Sequence, residues 1–186
     1  MPDPVVYSID GRASRFTLQA FAGGMGAMMA HNPKFAIREF DGQAELKGDS
    51  LSDASLRVTV KPASLELVDD VSAKDRAEIQ RAALQDVLET DRFAEIVFES
   101  THVTATKATG NLYRAVVTGN LTLHGATNSQ DITAHVSIAN DTLRANGEFT
   151  LRQTSYGIKL VSVAGGIVKV KDDLKFNFDI VARKQA

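Results

Sequence analysis

Most of this sequence alternates between apolar and polar residues with a period of two, and this alternation restricts the fold more than any other feature. It is clearest at 54–61 and 132–138, where Ala, Leu, Val or Ile occupies every second position. Because successive side chains of a strand point to opposite faces, such a segment is typical of a strand with one buried face. The chain contains eight segments that fit this pattern, at residues 16–20, 40–46, 54–61, 96–103, 117–123, 132–138, 143–151 and 174–180.

The connections between these segments are short and carry turn residues, as at Lys47-Gly48-Asp49 and Asn140-Asp141. Short connections predict antiparallel neighbours. Eight antiparallel strands that each have one apolar face bury it in a closed barrel or a sandwich. Gly42, Gly119 and Gly147 fall on the apolar faces, and they favour a barrel because strands that coil tightly use glycine where they bend. At 186 residues the chain has the length of one domain.

One segment has helical rather than strand periodicity. Ser72 to Asp75 has the spacing of a capping box with Asp in place of Glu, and Ile79, Ala82, Ala83 and Val87 recur at helical spacing. These signals predict a helix from Ser72 to about Leu88, between the third and fourth strands, across one end of the barrel.

Composition argues against several classes of function. The net charge of −2 and the lack of a run of like charges argue against a nucleic-acid-binding surface, and no apolar run is long enough for a membrane span. The sequence has no Cys, which excludes a disulfide or a thiolate site, and His31, His102, His124 and His135 lack metal-ligand spacing. We therefore expect no metal and no cofactor other than a bound lipid.

The first residues, Met1 to Ile9, lack the basic and apolar regions of a signal peptide. We expect a cytoplasmic protein on this ground, although a processed periplasmic or secreted chain would look the same.

Signals of catalysis are weak. No G-x-S-x-G motif occurs, and Gly23-Gly24-Met25-Gly26 lacks the Lys-Ser/Thr ending of a phosphate loop. We expect no enzyme activity. An enzyme with Asp91, His124 or His31 as an acid–base group at the barrel mouth stays open as an alternative.

The predicted interior is apolar, with almost no inward polar group. A barrel of eight strands either fills itself with side chains or encloses one small ligand. Inward residues such as Ala44, Ala115 and Ala145, together with the inward glycines, favour a cavity because small side chains fill little of the lumen. The predicted ligand-binding residues on the strands are Phe16, Leu18, Phe40, Leu56, Val58, Phe98, Val117, Leu121, Ala134, Val136, Phe149, Phe176 and Phe178.

A loop from Ala22 to Asn32 contains Met25, Met28 and Met29, three of the four methionines in the chain. Methionine is flexible and polarizable, and it suits a surface that repacks around varied apolar ligands. We include these three residues among the predicted ligand-binding residues, as a mobile lip of the barrel. The alternative is a short helix or turn in which they fill gaps against the barrel.

Four segments resemble motifs of the YceI family of bacterial, lipocalin-like, polyisoprenoid-binding proteins. They are Ile9 to Phe16, Leu88 to Ser100, Gly119 to Thr127 and Tyr156-Gly157-Ile158, and the resemblance covers nearly the whole chain. It implies that residues 1–186 form a single all-β, eight-stranded antiparallel barrel. It also implies a lengthwise apolar pore for an isoprenoid quinone or a similar long-chain amphiphile, and no catalysis.

These observations together favour a non-enzymatic protein that carries or sequesters a long-chain apolar lipid, such as a polyisoprenoid, an isoprenoid quinone, or a fatty amide or acid. The main alternative is a structural or interaction module with a filled barrel that acts through its surface. Either protein is compatible with a homodimer.

Overall fold

The computed structural model describes residues 3–48, 50–163 and 168–186. Helix α1 (Ala73–Arg81) continues as a π-helical stretch at Ala82–Val87, and short 3₁₀ helices lie at Ala27–Met29, Leu51–Asp53, Pro62–Ser64 and Gln153–Tyr156. The strands, numbered in chain order, are β1 (Val5–Ile9), β2 (Arg15–Gln19), β3 (Ala22–Gly23), β4 (Lys34–Ile37), β5 (Phe40–Leu46), β6 (Ser55–Val60), β7 (Leu65–Leu67), β8 (Ile96–Thr109), β9 (Leu112–Leu123), β10 (Ala126–Ala139), β11 (Thr142–Arg152), β12 (Ser162–Val163), β13 (Val168–Val170) and β14 (Asp173–Lys184).

Eight strands close into an antiparallel barrel, as the alternation predicts. The hydrogen-bonded order is β1-β5-β6-β8-β9-β10-β11-β14, and pairing of β1 with β14 closes the ring. A branch of three shorter strands, β2-β4-β7, continues from β14 beyond this ring. A second small sheet joins β12, β13 and β3.

The first strand of the closed ring differs from the one that alternation predicts. Residues 16–20 largely form β2, in the branch, whereas β1 closes the ring by pairing with both β5 and β14. Ser14 joins the two strands, because its hydroxyl accepts a hydrogen bond from the Val181 backbone N–H at 2.9 Å and donates to the Asp10 carbonyl at 2.7 Å. The predicted first strand at 16–20 therefore lies in the branch, and β1 takes its place in the ring beside β14.

Helix α1 lies where the sequence predicts it and ends in a π-helical stretch. Ser72 caps its N-terminus by accepting a hydrogen bond from the Asp75 N–H at 3.1 Å. Side chains of the helix also form hydrogen bonds with the backbone groups at the free edge of β7. Gln80 accepts a hydrogen bond from the Leu67 N–H at 2.9 Å and donates one to the Leu65 carbonyl, and Arg76 donates one to the Leu67 carbonyl. Side chains thus take the place of a neighbouring strand at this edge.

A β-bulge in β8 changes which residues face inward. The register against β9 shifts between Ser100 and His102, so that Phe98 and Val103, five positions apart, both face the lumen. His102 is exposed as a result. Alternation alone leaves the face of this histidine undecided, whereas it correctly predicts that His135 faces outward.

Two groups of buried residues lie at opposite ends of the barrel. The helix-end cluster contains large side chains such as Phe35, Leu67, Ile158 and Phe176, with residues of α1 and the π-helical stretch packed against it. The alanine-end cluster includes Tyr7, Leu46, Leu51, Ala115, Ala134, Val136, Leu143 and Ala182.

Candidate functional site

The interior of the barrel contains an apolar cavity, here called the lumen, of about 200 Å³. Of the 30 described residues that line it, Ser55 is the only polar one. Along β9 the lining extends from Ala115 to Leu123. At a rise of ~3.3 Å per residue and a tilt of ~40°, this span corresponds to roughly 20 Å along the barrel axis. The lumen is therefore elongated and offers apolar surface along most of its length.

Alternation places most of the predicted strand residues correctly on the lumen. Twelve of them line it: Phe16, Phe40, Leu56, Val58, Phe98, Val117, Leu121, Ala134, Val136, Phe149, Phe176 and Phe178. That they contact a ligand stays a prediction. Leu18 lies outside the lining, because it packs into the helix-end cluster from β2, opposite Phe35 and Phe176.

Neither Met25 nor Met28 of the methionine loop lines the lumen. Met25 is 96% exposed and Met28 is 99% exposed, so neither fills a gap against the barrel. The base of the loop is held by β3, which pairs with Lys169 and Val170 of β13. The side chain of Met29 lies outside the part of the chain that the structure describes.

The small inward residues act in two different ways. Ala44, Ala115, Ala134 and Ala145 line the lumen, as expected of residues that leave space. Gly119 and Gly147 are instead covered by aromatic rings: a Cβ added at Gly119 would lie 2.5 Å from Phe98 Cζ. A Cβ at Gly147 would likewise lie 2.8 Å from Phe178 Cζ. At Gly42 an added Cβ would lie 2.9 Å from Ile9 Cδ1, so an aliphatic side chain covers this glycine. The expectation that these glycines widen the lumen is therefore wrong, because neighbouring side chains occupy the space beside them.

Ser55 is the one exposed residue among the described residues that line the lumen. The ladder between β6 and β8 begins at Arg57 and Glu99. One residue earlier, the Ser100 hydroxyl accepts a hydrogen bond from the Leu56 N–H at 2.7 Å. A side chain thus replaces the backbone partner beside the β8 bulge.

Two amide side chains share the inward face of β10 but lie outside the lining of the lumen. Asn128 and Gln130 of β10 lie directly opposite Leu121 and Gly119 of β9, and residues in such positions share a face of the sheet. Both amides line a polar groove of about 310 Å³ between β10 and β11, beside the lumen. Alternation could have found them, since they continue the every-second-residue spacing of the inward residues Ile132 and Ala134.

His124, one of the acid–base candidates, belongs to a cluster that joins three segments. Its Nε2 lies 2.6 Å from the Glu89 carboxylate and its Nδ1 lies 3.2 Å from the Tyr156 carbonyl oxygen. Phe93 packs on the imidazole with ring centroids 4.4 Å apart. Hydrogen bonds from Arg92 and from His124 hold the pKa of the Glu89 carboxyl below its usual value.

This cluster connects the end of the helical segment to the β9–β10 turn and to the 3₁₀ helix at Gln153–Tyr156. Both ring nitrogens of His124 already face acceptors, and the residue does not line the lumen. Asp91 and His31, the other acid–base candidates, are exposed and lie outside the lining. The structure does not bring the three candidates together in the barrel mouth.

A metal site of three or more His, Asp or Glu side chains does not occur among the described residues. None of the helices in that part of the chain is long and apolar enough to cross a membrane.

Comparisons with known structures give the same architecture. BcnA of Burkholderia cenocepacia superposes with a TM-score of 0.68 at 20% identity, over 93% of this chain and 98% of that one. A polyisoprenoid-binding domain of Saccharophagus degradans, implicated in plant cell wall breakdown, gives 0.70 at 12% identity, over 96% and 98%. The YceI protein of Campylobacter jejuni gives 0.62 at 14% identity, over 84% and 88%. The TM-scores show that these proteins share the fold of this chain, and at such low identities they show the fold alone.

A comparison with curated protein sequences finds no match. The model of the YceI-like domain matches residues 7–182, which include every strand of the closed ring except the first two residues of β1 and the last two of β14. The chain therefore belongs to the YceI family.

Proposed function

We propose that this protein binds one long-chain apolar lipid, such as a polyisoprenoid or an isoprenoid quinone, in the lumen and carries or sequesters it without catalysis. The observation that supports this function most is the lining, in which 29 of 30 residues are apolar. Such a surface offers nothing to orient a polar substrate for chemistry. It favours any chain that removes its own apolar surface from water.

The size of the lumen is compatible with this ligand class. A cavity of about 150 Å³ lined by apolar side chains stays dry and binds benzene, and the lumen has about 200 Å³. On the same scale the lumen as it stands has room for about eight carbon atoms, which would contribute on the order of 6 kcal/mol at ~0.8 kcal/mol each, against an association cost of ~4–15 kcal/mol. A longer isoprenoid chain therefore widens the lumen or extends beyond it.

The similarity to the polyisoprenoid-binding domain of Saccharophagus degradans supports an isoprenoid rather than a straight fatty chain. Six phenylalanine side chains line the lumen: Phe16, Phe40, Phe98, Phe149, Phe176 and Phe178. Flat aromatic rings pack well against the flat, regularly spaced double bonds of an isoprenoid. The alternative of a filled barrel requires a core without such a cavity, and the lumen argues against it.

Native mass spectrometry of the freshly purified protein, before and after solvent extraction, tests the proposal. We expect an added mass that extraction removes, and a gain in thermal stability when geranylgeraniol or a quinone is added back, because a ligand that binds only the folded state stabilises it. Protein from several expression hosts that releases no lipid, and that no chain length stabilises, would contradict the proposal.

A further inference from the structure

The barrel wall is open along part of one strand pair. β10 and β11 pair from Ala139 and Thr142 to Ala134 and Gly147. Beyond this point, in the part of the chain that the structure describes, residues 128–133 and 148–152 share no ladder. Each half-strand still pairs on its other side, β10 with β9 and β11 with β14. No backbone ladder joins the two strands along this seam, and side chains together with the 3₁₀ helix at Gln153–Tyr156 cover it.

The inner face of β10 changes character at the seam. Ala134 and Ile132 line the lumen, and the next two residues of the same face are Gln130 and Asn128. A buried amide is costly unless it finds hydrogen-bonding partners. Asn128 donates to the Ser155 carbonyl at 2.7 Å, whereas Gln130 donates to the carbonyl of the adjacent Asp131 at 3.1 Å.

These amides open into the polar groove described above, here called the seam groove. Its other walls come from β11 and from the 3₁₀ helix at Gln153–Tyr156. The polar residues that line it are Asn128, Ser129, Gln130, Thr150, Arg152 and Ser155. Amide and hydroxyl groups both donate and accept hydrogen bonds, so the groove suits an oxygen-bearing group.

Leu151 is the one residue that lines both the lumen and the seam groove. It is 4% exposed and belongs to the helix-end cluster. Since no backbone ladder crosses the seam at this point, rotation of one leucine side chain would join the two cavities. A lipid could then place its chain in the lumen and its polar end in the groove.

The charged side chain that lines the groove, Arg152, already has an acidic partner. The guanidinium of Arg152 pairs with Asp172, with Nε 3.0 Å from Oδ2. The same carboxylate also accepts from the Thr154 N–H at 2.8 Å and from the Thr154 hydroxyl at 2.7 Å. A phosphate or carboxylate in the groove would have to compete with Asp172 for Arg152, the one cation among the described residues that line the groove.

We propose that the seam groove holds the headgroup of the bound lipid, and that this headgroup is an uncharged alcohol or carbonyl. The inference rests on the proposed function, since it assumes a chain in the lumen. It makes Gln130 and Thr150, on opposite walls, the hydrogen-bonding residues for the headgroup oxygen, and Leu151 the side chain that moves.

Photolabelling locates the headgroup directly. Two C20 isoprenoid alcohol probes are added to the delipidated full chain, one with a diazirine beside the hydroxyl and one with a diazirine at the far end of the tail. We expect the head probe to label peptides covering residues 126–133 and 148–156, and the tail probe to label lumen residues elsewhere. Head labelling around Ser55 with tail labelling in the lumen would overturn the inference and leave the proposed function intact. No labelling by either probe would overturn both.

Affinity measurements then test the named residues. Gln130→Met removes the amide at nearly constant length, and Thr150→Val removes the hydroxyl at constant shape. Each is expected to weaken binding of geranylgeraniol roughly fivefold, the effect of one neutral hydrogen bond, and to leave the matched C20 hydrocarbon unchanged. The control Gln43→Met changes an exposed residue of β5 and should affect neither probe.

Headgroup charge is tested on the wild-type protein. Geranylgeranyl phosphate should bind more weakly than geranylgeraniol, because the groove offers no unmatched cation. Tighter binding of the phosphate, or equal losses for alcohol and hydrocarbon in Gln130→Met, would overturn the inference.

Discussion

The helix end of the barrel buries large side chains against several elements, whereas the alanine end buries small ones around the lumen. At the helix end, Leu67 and Ile158 are 1% and 2% exposed, and side chains such as Gln80 and His124 fix the surrounding segments. At the alanine end, Ala115 and Ala134 are buried but leave space beside them. Residues of both clusters line the lumen, so the two ends differ in the size of the side chains that they bury and in the contacts made outside the lumen.

The largest expected effect is on stability at the helix end. Leu67→Ala should lower the free energy of unfolding by about 4 kcal/mol, whereas Leu46→Ala, beside the lumen, should lower it by about 2 kcal/mol, because truncation next to existing space loses fewer contacts. Denaturant unfolding of the delipidated variants measures both. The control Val68→Ala changes a residue that is 44% exposed and should cost less than about 0.5 kcal/mol. Equal losses at Leu67 and Leu46 would remove the distinction between the ends.

The second-largest expected effect is on ligand affinity, from a substitution in the middle of the lumen. Val117→Phe adds a ring where the tail would lie, so lipid affinity should fall at least about tenfold, or ~1.4 kcal/mol. The ligand-free protein should stay near wild-type stability. The control Val116→Phe changes the neighbouring residue, which lies outside the lining, and should leave affinity unchanged.

A filled core would behave in the opposite way to a ligand-holding lumen. Overpacking typically costs ~1–3 kcal/mol, so Val117→Phe would then destabilise the ligand-free barrel and have no ligand to displace. The carrier hypothesis is falsified if the variant is strongly destabilised but retains lipid normally. Denaturant midpoints, measured beside lipid retention, separate the two results.

A smaller effect is expected on how the free energy of unfolding depends on pH, through Asp172 at the helix end. Hydrogen bonds from Thr154 and the pairing with Arg152 lower the pKa of Asp172 from its ordinary value of 3.8. A lowered pKa in the folded state means that this carboxylate stabilises the fold above its ordinary pKa, and that the stabilisation is lost as the pH falls through the folded-state pKa. Asp172→Asn should therefore make stability depend less steeply on pH below about 4.

Unfolding by denaturant at several acidic pH values measures this dependence. Asp173→Asn removes the adjacent, exposed carboxylate without touching the hydrogen bonds of Asp172, and it serves as the matched control. Identical slopes for wild type and Asp172→Asn would show that the Asp172 network does not contribute to acid stability.

The smallest expected effect on stability is in the methionine loop. Met25→Ser with Met28→Ser should change the free energy of unfolding by less than about 0.5 kcal/mol, since both side chains are almost fully exposed. The lip hypothesis predicts that ligand on- and off-rates change together while affinity stays constant. Stopped-flow exchange of a fluorescent isoprenoid measures these rates, and unchanged rates would mean that the loop is not a lip.

Much of the fold could be predicted from local pattern. Alternation identifies the barrel strands, and the capping residue Ser72 with helical spacing locates α1. It also places Val117 and Phe149 on the lumen. It fails at the first ring strand, where the predicted segment 16–20 belongs to the branch and β1 closes the ring. It also fails at the β8 bulge, which reverses the inward and outward positions. A bulge depends on the register of the neighbouring strand and leaves little local signal.

The sequence by itself determined that the chain forms an antiparallel barrel with an apolar interior, because strand periodicity is a local property that each segment carries alone. Tertiary structure decided how that interior is used. Whether Gly119 opens space or receives a phenylalanine ring depends on a residue of another strand. Whether the amides of Asn128 and Gln130 are buried or face a groove depends on where the β10–β11 ladder ends. Such contacts join residues far apart in sequence, and only the closed barrel fixes their geometry.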